Sequence, residues 1–208
     1  MKNNFFGVIA KSQTYLNMLY LLLSFPLGLF YFIFLITGIS IGLGLIITWL
    51  SIPILLAVFF VWNGFAIFER QLTNNLLNTN IIYKEGKPSK EKKLLNKLKK
   101  HLSSSTSWKN LAYLLIKFPL GMVSFIFLTT FISISLSLIA TPFLFHFSQI
   151  GLIPGPTFMQ KELSFMNTYW FTIISGIVGI FIAFVSLHIF NRLAKISGLL
   201  AKTMLEKK

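Results

Sequence analysis

The chain contains no cysteine and no aspartate, and only 12% of its 208 residues are charged. Without cysteine there are no disulfides and no thiolate metal sites. A soluble domain carries charge on about a quarter of its residues. Here charge is missing in blocks: none between Lys11 and Glu69, none from Phe118 to Gln160, and none from Leu163 to Asn191. Uncharged apolar runs longer than about 18 residues read as membrane spans. With a mean hydropathy of +0.75, the chain reads as an integral membrane protein. The first run is far longer than the ~7–15-residue apolar core of a secretory signal, so it is expected to stay uncleaved.

Negative charge is the scarcer sign, with 5 acidic residues against 19 Lys and Arg. The basic residues fall between and after the apolar runs. Topology signals and anionic-lipid contacts belong there, so the basic balance points to headgroups and not to nucleic acid.

What the chain has instead is a repetition. The stretch "YLNMLYLLLSFPLGLFYFIFLITGISIGLGLIIT" begins at Tyr15, and "WKNLAYLLIKFPLGMVSFIFLTTFISISLSLIAT" begins at Trp108. At an offset of 93, residues 17–48 and 110–141 match at 20 of 32 positions without a gap. Two unrelated apolar helices would share scattered Leu and Ile. They would not keep Asn17/Asn110, Tyr20/Tyr113, Pro26/Pro119, Gly28/Gly121, Thr37/Thr130 and Ser40/Ser133 in register, which marks an internal duplication.

The repeat guides the expected architecture, an all-α membrane four-helix bundle built from two parallel two-span repeats. Lys117 precedes the second "FPLG", and a Lys prefers the interface to the bilayer centre. Spans are therefore expected at about 25–48, 53–70, 118–141 and 167–190. Segments 10–24 and 106–117, with Tyr15, Tyr20, Trp108 and Tyr113, become short interfacial helices. Pro26 and Pro119, with Gly28 and Gly121, become repeat joints, each proline lying in the first turn of its span. The alternative is one long helix kinked at each proline. Trp49 and Pro53 mark a tight turn, and about 142–166 reads as a loop. The domains are repeat one (1–80), a basic linker (81–105) and repeat two (106–208).

Lysines crowd the ends and the linker, while the opposite-side loops hold only Lys161 and Glu162. The positive-inside rule then places both termini and the linker in the cytoplasm of a multi-pass cell-membrane protein. In the linker "KEKKLLNKLKKHL", leucines share one helical face beside Lys92, Lys93, Lys97, Lys99 and Lys100. This pattern suits contact with anionic lipid headgroups. A solvated, topology-setting loop is the alternative.

Catalytic chemistry has little to work with. The five glutamates are dispersed, and His101, His146 and His188 show no metal-ligand spacing. No catalytic, cofactor or metal site is expected. Small residues are the more informative set. Gly38, Ser40, Gly42 and Gly44 in the first span align with the region of Ser133, Ser135 and Ser137 in the third. They suggest a helix-packing seam or a pocket lining. Asn63 in the second span needs a partner for its amide.

The segments "YLLLSFPLGL", "YLLIKFPLGM" with "SFIFL", the small-residue run with the later "SIP", and the exit "FNRLAKISGLLAKTML" together resemble the "putative sensor" domain family of prokaryotic membrane proteins. That resemblance covers about 15–205. It implies a four-span module, in bacteria often fused to a histidine kinase, with no catalytic residues to carry over. Read as a stand-alone member, the chain would act through a signalling partner protein or a homodimer. The expected function is a non-enzymatic sensor or interaction module. The alternatives are a small permease component and a lipid-organising scaffold.

Overall fold

The computed structural model of the chain describes residues 5–8, 11–81, 105–151 and 169–206. Among them there are no strands. A 3-10 turn (Phe5–Val8) precedes four α-helices: α1 (Ser12–Gly44), α2 (Ser51–Leu77), α3 (Ser105–Gln149) and α4 (Tyr169–Leu205). All four are long and apolar enough to cross a membrane. Lipid offers no partner for a free N–H or C=O, so an apolar run satisfies its backbone by staying helical.

That constraint also explains where the expected joints differ. α1 passes through Pro26 without a break, and α3 passes through Pro119 and Pro142. The segments 10–24 and 106–117 are therefore not separate interfacial helices, and the prolines are not elbows between two helices. A proline removes one backbone donor, whereas ending the helix would free several groups at once. The neighbouring turn is reinforced where Ser24 Oγ donates to Tyr20 O at 2.8 Å. Positions 142–149, expected in a loop, continue α3, and α2 and α4 run to Leu77 and Leu205. The basic linker helix, with Lys92, Lys93, Lys97, Lys99 and Lys100, lies outside the described residues.

Between α1 and α2 the chain turns within six residues. Ser51 Oγ donates to Gly42 O at 2.6 Å, and Thr48 Oγ1 to Leu45 O at 2.8 Å. Pro53 lies in the first turn of α2, where its missing N–H has no helical partner to lose.

The chain divides into two compact units, one of residues 1–14 and 126–190, the other of residues 15–125 and 191–208. In the first, Ser135 Oγ donates to Gly179 O at 2.9 Å. A Cβ at Gly179 would lie 2.8 Å from Ile139 N, so these stretches of α3 and α4 meet backbone to backbone.

The second unit holds the larger core. Phe30, Tyr31 and Phe34 of α1 surround Phe65 of α2, with ring centroids 5.6, 4.9 and 5.3 Å away. The two "FPLG" motifs meet reciprocally. A Cβ at Gly28 would lie 2.8 Å from Lys117 O and Phe118 Cα, and one at Gly121 would lie against Ser24 O and 2.9 Å from Phe25 Cα. Phe25 stacks on Phe125 and Phe32 on Phe118, each pair at 4.9 Å. The contacts advance along α1 as they retreat along α3. Here the two helices pack antiparallel, not in the parallel sense expected for the repeats. Charge bias reports which side of a membrane a loop prefers. It carries no information on which faces meet.

Candidate functional site: a buried carboxylate joining three helices

Beside this crossing lies a set of polar side chains with almost no contact with solvent. Glu69 of α2 is fully buried, and Lys117 of α3 is 3% exposed. Lys117 Nζ lies 2.5 Å from Glu69 Oε1 and donates to Tyr20 Oη at 2.6 Å. It also lies 4.1 Å from the centroid of the Tyr20 ring. Tyr20 and Tyr113 each donate to Glu69 Oε1 at 3.2 Å, and Tyr31 donates to Oε2 at 3.4 Å. Thr73 lies 3.5 Å from Tyr20 Oη and donates to Glu69 O at 2.7 Å.

The chemistry accounts for the crowding. An ionised carboxylate accepts about four hydrogen bonds. Removing it from water is costly unless those sites are filled and its charge is opposed. Lys117 supplies the charge, and three tyrosines fill lone pairs while presenting aromatic faces to the apolar core. One carboxylate on α2 thereby holds α1 through Tyr20 and Tyr31, and α3 through Tyr113 and Lys117.

The next residue extends the network. Arg70 is buried; its Nε donates to Leu205 O at 3.0 Å and its Nη2 to Asn110 Oδ1 at 3.1 Å. Asn17 Nδ2 donates to Asn191 Oδ1 at 2.7 Å. α4 can come this close because its buried stripe is small between Phe190 and Leu205: Ala194, Gly198 and Ala201. Gly198 sits against Leu77 and Thr79 at the end of α2.

The residues singled out by sequence fall elsewhere, with two exceptions. Gly28 and Gly121 form the crossing beside the carboxylate, while Pro26 and Pro119 are exposed. Gly38 and Gly42 pack against Val58 and Leu55 of α2, and Ser135 bonds Gly179 of α4. Ser40, Gly44, Ser133 and Ser137 are exposed. Asn63 donates to Phe59 O of its own helix at 2.9 Å, so its amide nitrogen finds a partner without reaching another helix. Lys117, expected at the interface, is a buried ion-pair partner.

The pairing of Glu69 with Lys117 spans 48 residues and has no sequence signature of its own. A usable signal did exist. Asn17/Asn110 and Tyr20/Tyr113 are polar positions kept in both copies of an otherwise apolar repeat; Tyr20, Tyr113 and Asn110 enter this network, and Asn17 bonds Asn191 of α4.

Among the described residues no group of three or more His, Asp or Glu is placed to hold a metal ion. No curated protein and no solved structure is significantly similar to the chain. The family model described as "Sensor: Putative sensor" matches residues 20–205, most of the chain including Tyr20, Glu69, Tyr113 and Lys117, and the protein belongs to that family.

Proposed function

We propose that the chain is a non-enzymatic sensing module in a membrane. A ligand, a lipid or the state of the bilayer alters the packing of its helices, and the end of α4 passes the change to a partner protein. The observation that carries this reading is the Glu69–Arg70 pair. Glu69 gathers α1 and α3 on one carboxylate, while Arg70 holds the backbone of Leu205 and the side chain of Asn110. A shift of α1 or α3 at Glu69 thus acts on adjacent residues that also hold the end of α4. Any such switch requires a stimulus with different affinities for two packings.

The test uses full-length protein in nanodiscs with spin labels at Gln71 and Thr203, both exposed. Two inter-label distances are expected, with populations that change with lipid composition. One invariant distance under every lipid and additive would sink the reading. Solute flux in proteoliposomes would replace it with transport.

A further inference from the structure

A small cavity opens beside the ion pair. Its walls include Tyr20 and Ser24 of α1, Tyr113, Lys117 and Ser124 of α3, and Ser197 of α4. Its volume is about 10 Å³, close to the ~10–15 Å³ that one water molecule requires. An apolar cavity of this size would stay dry; a polar one with two to four partners holds water.

The partners are present. An ammonium has three N–H donors, and Lys117 gives one to Glu69 Oε1 and one to Tyr20 Oη, leaving a third. Ser24 gives its proton to Tyr20 O, so its oxygen is free to accept. Ser124 and Ser197 add hydroxyls that both donate and accept. The charge of Lys117 is already balanced by Glu69 at 2.5 Å, so an additional ion of either sign would enter a low-dielectric site uncompensated. A neutral molecule with both donor and acceptor capacity meets the requirement.

We propose that this cavity is a binding site for a single water molecule, which takes the third N–H of Lys117 and bridges it to serine hydroxyls on α1, α3 and α4. The water joins α4 to the Glu69 network at a second point, separate from the Arg70 contact with Leu205. This inference stands whether or not the chain signals.

The experiment uses the full chain in nanodiscs with ¹⁵Nζ-labelled lysine. Wild-type protein is expected to show a cross-peak between the Lys117 ammonium and water. Ser124→Val, which fills the cavity, is expected to abolish it, and Ser137→Val on an exposed site to leave it intact. A wild-type ammonium without the cross-peak, or a cross-peak unchanged in Ser124→Val, overturns the proposal. Should Ser124→Val fail to fold, a structure of the wild type resolving ordered solvent decides. Density within ~3.2 Å of Nζ supports the site, and a dry or lipid-filled cavity refutes it.

Discussion

Lys117 Nζ lies 2.5 Å from Glu69 Oε1, with the lysine 3% exposed and the glutamate fully buried. The pair joins α2 to α3 inside helices long and apolar enough to span a membrane. Such a pair adds little over a well-packed apolar substitute, but losing one member leaves a buried charge. That loss costs about 3–5 kcal/mol. Lys117→Met and Glu69→Gln are each expected to lower stability on that scale in denaturant titrations of the reconstituted protein. The double variant Glu69→Gln/Lys117→Met is expected to be much less impaired than the sum of the two, because no charge is then stranded. Additive losses would show that the two residues are not coupled.

The crossing of α1 and α3 depends on two missing side chains. Gly28→Ala and Gly121→Ala each place a methyl within 3 Å of the facing backbone, and backbone gives way less readily than a side-chain end. A loss of about 1–3 kcal/mol is expected from such overpacking. Gly44 and Gly64 have nothing within 4 Å of a Cβ. Alanine there is expected to be neutral or slightly stabilising, because alanine favours helix. Thermal unfolding of the four variants in one detergent separates the two classes.

The direction of that crossing is open to a chemical test, and the absence of cysteine makes it clean. Phe25 stacks on Phe125 and Phe32 on Phe118. Cysteine pairs at 25 and 125, and at 32 and 118, are expected to link with a short bifunctional maleimide. The pair at 32 and 125, which a parallel register would bring together, is expected not to; 25 and 118 flank the Gly28/Gly121 contact and lie close together in either register. Gel mobility after cleavage within the linker reads the result.

How far these features were legible in the sequence follows from the physics of each. Four apolar helices were legible because charge is expensive in lipid and its absence over long runs is unmistakable. Their ends were not. A helix continues wherever its backbone hydrogen bonds allow, as α3 does through Pro142 to Gln149, a stretch that reads as loop from its proline. The "FPLG" motifs read as joints, and Gly28 and Gly121 do make a close approach, but to each other's helices and not at an elbow. From sequence Lys117 reads as interfacial, because an isolated lysine belongs there. Only the fold shows that it is not isolated.

Arg70 provides the last test, at the end of α4. Its guanidinium donates to Leu205 O and Asn110 Oδ1 from a buried position. A carbonyl in the final turn of a helix has no intrahelical donor, so the Arg70 contact closes that turn from outside. Hydrogen bonds from a charged donor contribute about 1.5–3 kcal/mol each. Arg70→Gln is expected to speed amide exchange in α4 from Ala201 to Leu205 by about 10- to 100-fold, with little change near Phe190. Arg70→Lys is expected to recover only part of the protection, because an ammonium cannot reproduce two donors in the fixed geometry of a guanidinium. Hydrogen–deuterium exchange by mass spectrometry checks both. Unchanged exchange at Leu205 in Arg70→Gln would mean that the end of α4 is held by its apolar stripe alone, and that Arg70 does not hold the tail.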